Sequence, residues 1–215
     1  MTQNKKAVVV DFDGTFVKVN SFELFIKYLL FFSFLHVQFR LFTFLSFEIL
    51  KRKLRLESHG EMKMHILWHL KNNETYNVLP AFLTRLSSYI NKNVLAIVEE
   101  RKQKGCVIIL SSAAPEYYLK PFVRQYANLF DFVLSTPVPN SDKDSLWSEN
   151  ICNTKFKRTI SFLQNHNFSF SIFLTDHYDD IPLLEIQKSK NILVNPSKYT
   201  LEKVKEKNIK FEILK

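Results

Sequence analysis

The sequence predicts a doubly wound α/β protein: a parallel sheet with helices on both faces, interrupted after its first strand by an α-helical insert. Short, unbroken apolar runs recur along the chain, as strands buried on both faces of a parallel sheet do. They alternate with helix-patterned stretches, the mark of successive right-handed crossovers. The 215 residues, 46% apolar and 24% charged, are enough for one sizeable core domain with a smaller insert.

The first strand is Ala7–Asp11 (AVVVD), β-branched and ending in an acid. From about Val19 to Pro80 no strand pattern occurs, and the stretch is too long for one crossover helix, so it reads as a helical insert. Within it Leu29–Leu50 is almost entirely Phe and Leu, with Ser33, His36, Arg40, Thr43 and Ser46 at steps of three and four. That spacing predicts one helix with a narrow polar stripe. Arg40 in mid-stretch and the basic Lys51, Arg52 and Lys53 argue against a membrane span. A helix stopping at Gly105 leads to a second strand, Cys106–Ser111, and Phe132–Ser135 is a further strand. Helical Lys157–Asn165 precedes strand Ser171–Asp176, and Asn191–Val194 closes the set before Asn195-Pro196. The lysines of Glu202–Lys210 read as a solvated helix face.

Composition excludes several functions. Three glycines, Gly14, Gly60 and Gly105, are too few for a Gly-rich dinucleotide loop or a P-loop. Cys106 and Cys152 make neither a disulfide scaffold nor a zinc pairing, which fits a reducing cytosol. The N-terminus lacks the pattern of a signal peptide, so a cytoplasmic location is expected. A net charge of +9 favours anionic partners, but no nucleic-acid motif accompanies it and no nucleic-acid partner is expected.

The strongest local signal is Asp11-Phe12-Asp13-Gly14-Thr15 at the end of the first strand, where open α/β sheets bind ligands. Two carboxylates two residues apart can divide nucleophilic and proton-transfer roles, or hold a hard divalent cation. Asp176-His177-Tyr178-Asp179-Asp180 is a second acidic group at a strand end. It would complete such a cation site, or Asp179 or Asp180 would cap the turn at Ile181-Pro182. Ser111-Ser112-Ala113-Ala114 precedes a helix opening at Pro115, where a hydroxyl and helix N-terminal amides can hold an anion without glycines. Lys155 and Lys157 begin the next helix, where one lysine could neutralise a phosphate.

In order and position these four groups resemble the motifs of the haloacid dehalogenase superfamily of phosphohydrolases, across essentially the whole chain. The helical insert resembles a type 1 cap, and the likeness is greatest to the phosphoserine-phosphatase-like branch. The resemblance implies a Rossmann-like core at residues 1–18 and 81–215 with a helical cap at 19–80. It implies a Mg²⁺-dependent phosphomonoesterase acting on a small phosphorylated metabolite. Asp11 would be the nucleophile that becomes an aspartyl-phosphate, and Asp13 the acid and then the base. Ser112, with the Ala113 amide, would hold the phosphoryl oxygens, and Lys155 would offset their charge. Asp11, the Asp13 carbonyl and Asp176 would bind Mg²⁺, with Asp180 orienting that site. Ser111 and Lys157 stand as alternatives to Ser112 and Lys155. Phe16 and the alanines of the serine motif depart from the usual smaller aliphatic residue and glycines. The rival functions are a phosphotransferase using the same intermediate, and a non-catalytic anion-binding or membrane-surface protein.

The Phe-rich segment has three readings: packing within the insert, which is favoured, then a pocket for a hydrophobic or aromatic leaving group, then peripheral membrane contact beside basic Lys51–Arg55. His65 and His69 have the i, i+4 spacing of a metal pair but no evident third ligand.

Overall fold

The computed structural model describes residues 4–73, 78–186 and 189–215. Its centre is a parallel sheet of β1 (Lys6–Val10), β2 (Val107–Pro115), β3 (Phe132–Thr136), β4 (Ser169–Thr175), β5 (Lys190–Val194) and β6 (Glu212–Leu214), in the order β3-β2-β1-β4-β5-β6. β1 lies between β2 and β4, and both of its faces are buried. Side-chain alternation therefore sends Val8, Val10, Ile108, Leu110 and Leu174 into one core, and Ala7, Val9, Ile109, Phe173 and Leu193 into another. This is why the strands read as continuous apolar runs.

The first core is covered by α1 (Ser21–Leu35), α2 (Phe39–Lys53), α3 (His59–Asn72), α4 (Leu79–Ser87), α5 (Lys92–Gln103) and α6 (Glu116–Arg124). The second is covered by α7 (Cys152–Asn165), the short α8 (Ile181–Leu184) and α9 (Lys198–Glu206). Side-chain caps start several helices: Asn20 accepts from the Glu23 amide before α1, and Ser58 and Glu61 form a reciprocal capping box at α3. Gly105, at φ +76°, stops α5 as the sequence suggests.

Four expectations need correction. The Leu29–Leu50 stretch is not one helix: α1 and α2 are separated at His36–Gln38, where Val37 takes φ 55° and the Gln38 amide turns back to the Ser33 carbonyl. The polar stripe is thereby divided, and Ser33 is buried with its hydroxyl on the Leu30 carbonyl. Strand β2 runs on to Pro115, so Ser112, Ala113 and Ala114 lie in its far end rather than at a helix start, across a register irregularity between Ser111 and Pro115. α7 begins at Cys152, placing Lys155 in its first turn. Strand β6 was not anticipated, because three edge residues beside a lysine-rich helix carry too little pattern.

Candidate functional site

The register brings three strand ends together. Val10 pairs with Leu110 on one side and Leu174 on the other, so Asp11, the Ser111-Ser112 step and Thr175-Asp176 emerge at one edge. This is where the strand order changes direction, the crevice in which doubly wound sheets bind ligands. A cleft of about 340 Å³ opens there, and Asp11, Asp13, Ser112, Ala113, Lys155 and Asp176 all line it.

The turn after β1 is tight. The Asp11 amide donates to the Leu174 carbonyl at 2.9 Å and the Val17 amide to the Phe12 carbonyl at 2.9 Å. Gly14 takes φ +72°, and a Cβ there would fall 2.2 Å from Asp176 Oδ2. Only glycine lets the first acidic motif lie against the second. Phe16 is accommodated because its ring is fully buried, edge-on to Phe130 at 5.0 Å.

Lys155 is the hub. The residue is only 3% exposed, and its ammonium donates to Asp11 Oδ1 and Asp180 Oδ2, each at 2.7 Å. Asp180 also accepts from Thr175 Oγ1 at 2.6 Å. Asp180 is the residue preceding α8, but its carboxylate serves Lys155 and Thr175 and makes no cap hydrogen bond. Burial works against the Lys155 charge, yet Asp11 and Asp180 outweigh it and hold the pKa above its ordinary value. The carboxyl groups go the other way. Burial pushes Asp11 up to about 8; Lys155 opposes the rise, while Asp180 and Asp176 add to it. Burial likewise raises Asp176 to about 6, against the lowering effect of His177. Asp13 is raised by burial and opposed by hydrogen bonds from Ser21. One buried ammonium among several carboxylates leaves the cleft short of positive charge.

The Asp13 carboxylate accepts the Ser21 amide at 2.9 Å, at the start of α1, a favourable seat for an anion. Ser112 Oγ accepts from the Ala114 amide at 3.0 Å and borders the cleft. Ser111 points elsewhere, its hydroxyl 2.9 Å from that of Thr159 on α7. Lys157 is exposed and makes no contact with the acids. Of the two alternative pairs, the cleft thus holds Ser112 and Lys155.

Several neighbours escaped the sequence reading. Thr175 braces Asp180, and the Ser21 hydroxyl lies 2.8 Å from the Tyr118 hydroxyl behind Asp13. Asn150 is fully buried, with its amide nitrogen on the Ser112 and Leu134 carbonyls and its Oδ1 buried without a hydrogen-bond partner. Lys63 of α3 is buried between Glu149, with which it forms an ion pair, and the Ala113 carbonyl at 3.4 Å. Only Thr175, adjoining Asp176, had a local signal. The rest arrive from distant segments that no motif marks.

Asp11 and Asp176 supply hard carboxylate oxygens beside the turn that carries the Asp13 carbonyl, and burial has raised both acids. This donor set suits a small divalent cation such as Mg²⁺. The histidine pair does not assemble as the spacing suggested. His69 stacks on Phe44 with ring centres 4.0 Å apart. His65 instead meets Glu48 at 2.9 Å and Glu57 at 3.3 Å, where Lys51 pairs with both acids. In that cluster Lys51 already sits against both carboxylates. Among the described residues, no helix is long and apolar enough to cross a membrane.

Residues 8–185 match the profile of the haloacid dehalogenase-like hydrolases. No curated protein sequence matches the chain. Solved structures do resemble it. A Bordetella pertussis Tohama I protein of unknown function superposes with a TM-score of 0.77, at 15% identity over 99% of both chains. A Salmonella enterica serovar Typhi hydrolase of the same family gives a TM-score of 0.62, at 15% identity over 94% of this chain and 67% of its own. A phosphoserine phosphatase in a form mimicking its phospho-aspartyl intermediate gives a TM-score of 0.56, at 13% identity over 99% of this chain and 95% of its own. At these identities the likeness is one of fold.

Proposed function

Given that the chain belongs to the haloacid dehalogenase-like hydrolase family, we propose that it is a Mg²⁺-dependent phosphomonoester hydrolase working through an aspartyl-phosphate on Asp11. The observation that carries this reading is the buried contact of Lys155 with Asp11 and Asp180 at the strand edge shared with Asp176. Here two carboxylates share one ammonium, with a third in the same cleft.

In the proposed reaction the Asp11 carboxylate attacks the substrate phosphorus, and the phosphorus–oxygen bond to the leaving group breaks. Asp13, held by the Ser21 amide, gives its proton to the departing oxygen. It then takes a proton from the water that attacks the aspartyl-phosphate, releasing inorganic phosphate and restoring Asp11. The raised pKa of Asp13 suits a group that must carry that proton. Ser112 and the Ala113 amide hold phosphoryl oxygens, and Lys155 offsets their charge. Asp11, Asp176 and the Asp13 carbonyl would hold Mg²⁺, which would supply Lewis-acid charge neutralisation. Asp180, tied to Thr175, keeps Lys155 in place.

We read residues 19–80 as a cap that closes over this cleft, and 1–18 with 81–215 as the core. Burial of Lys63 against the Ala113 carbonyl supports contact between the two. Phosphate release from a panel of phosphoserine, sugar phosphates, nucleotides and lipid-like phosphates, with and without Mg²⁺, tests the proposal. Metal-dependent turnover that Asp11→Asn abolishes is the expected result. Turnover that survives in Asp11→Asn removes Asp11 as nucleophile. Phosphate passed to an acceptor other than water would make the protein a phosphotransferase.

A further inference from the structure

Packing accounts for only part of the Phe-rich segment. Phe25, Leu29, Leu41 and Leu45 are fully buried, but Phe31, Phe34, Phe39, Phe47, Leu50 and Leu54 are between 50% and 71% exposed. These residues are not scattered. Phe31 and Phe34 end α1, and the chain then turns at Val37 into α2. On α2, positions 39, 43, 46 and 50 follow at steps of three and four and so share one side, with Phe47 beside them and Leu54 just past the helix end. The opposite side, Leu41, Leu45 and Glu48, faces the core. Thr43 does not break the outer side, because its hydroxyl is turned onto the Phe39 carbonyl at 2.8 Å. Water-exposed apolar surface of this extent on a folded domain marks an interaction face.

The charge beside it identifies the partner. Between Phe31 and Leu56 the sequence holds Arg40, Lys51, Arg52, Lys53 and Arg55, and the sole acid is Glu48. Glu48 is buried and paired with Lys51. Arg40, Arg52, Lys53 and Arg55 are exposed and form no ion pair among the described residues. An apolar helix face with its flank cationic and unneutralised matches an anionic bilayer surface, in which aromatic side chains enter the headgroup boundary and cations meet lipid phosphates. Self-association fits less well, since a two-fold contact would set these cations against their own copies. Each of the two helices has 15 residues, about 22 Å at 1.5 Å per residue, which is shorter than the bilayer core. We propose that the α1–α2 hairpin docks this face in the plane of an anionic membrane, without spanning it.

Flotation of the full chain on phosphatidylcholine vesicles, with and without phosphatidylglycerol, tests this. The protein should float with the anionic vesicles and be released by salt. Phe34→Ser with Phe39→Ser should lower partitioning roughly tenfold per residue, from the apolar area withdrawn from lipid. Arg40→Ala and Lys53→Ala, beside the outer side of α2, should each lower it about fivefold. All four side chains are exposed, so circular dichroism and melting should be unchanged. The proposal is overturned if the protein stays at the bottom of the gradient with anionic vesicles, or if the double Phe variant floats as well as the native chain. It is also overturned if sedimentation shows a dimer that the Phe substitutions dissolve while vesicles bind neither form.

Discussion

Gly14 and Gly105 form a natural pair for separating backbone strain from damage to the site. Both are left-handed, at φ +72° and +76°. An alanine Cβ at 105 meets nothing within 4 Å, whereas at 14 it falls 2.2 Å from Asp176 Oδ2 and 2.5 Å from its Cγ. Each alanine carries the left-handed penalty of about 1–2 kcal/mol. For a chain of this size that lowers Tm by roughly 2–8 °C. Beyond that the two part. Ordinary contact begins at 3.4 Å, so in Gly14→Ala the Asp176 carboxylate must retreat by about 1 Å, a displacement able to cost roughly a hundredfold in rate. Gly105→Ala should keep native Mg²⁺-dependent phosphate release and a native rise of Tm with Mg²⁺. Gly14→Ala should lose most of both while remaining folded in far-UV circular dichroism. If the two variants respond alike to Mg²⁺, the close approach of Asp176 to the first turn has no bearing on metal binding, and the donor set argued above is wrong.

Three further outcomes follow from the same geometry. In chelator, the folded protein binds protons that the unfolded chain releases, because Asp176 is raised to about 6 and Asp11 to about 8. Stability should therefore fall as pH rises from about 4 to 8, and Mg²⁺ should flatten the decline; denaturant titrations at several pH values measure it. Lys155→Met leaves Asp11 and Asp180 buried without their cation and should cost about 3–5 kcal/mol near pH 8, less in acid. Lys157→Ala, at an exposed position, should stay within about 0.5 kcal/mol in the same melts. Ser112→Ala, which loses the bond from the Ala114 amide, and Ser111→Ala, which breaks a buried hydroxyl pair with Thr159, should each cost about 1 kcal/mol, but only Ser112→Ala should lower turnover.

The core of the fold was legible because β1, β2, β4 and β5 are buried on both faces, and such strands read as unbroken Val, Ile, Leu and Phe runs. The anchoring acids were legible for a related reason: Asp11 and Asp176 terminate those runs, so the sequence places them at a common sheet edge. The break between α1 and α2 was hidden. It rests on Val37 at φ 55° and no glycine or proline marks it, while the polar spacing runs on across it. The continuation of β2 through Ser112 and Ala113 was hidden as well, since its partner there is Thr136 and the register slips on the way. Lys63 and Asn150 lie 50 and 38 positions from the residues they support, a distance across which a single sequence carries no local signal.

The charge distribution resolves what the composition left open. A protein of net charge +9 would be expected to meet an anionic substrate with cations, yet its cleft is the reverse. Asp11 and Asp180 share Lys155, Asp176 lines the same cleft, and burial has already pushed Asp11 and Asp176 toward neutrality. A phosphomonoester dianion entering that cleft would be repelled by Asp11, the proposed nucleophile. Protonating Asp11 would remove the repulsion together with the nucleophile. A divalent cation on the same oxygens removes the repulsion and keeps Asp11 ionised. The proposed use of Mg²⁺ is in keeping with that charge balance, and the basic excess of the chain belongs in part to the exposed flank of α2, where Arg40 and Lys53 have no carboxylate partner among the described residues.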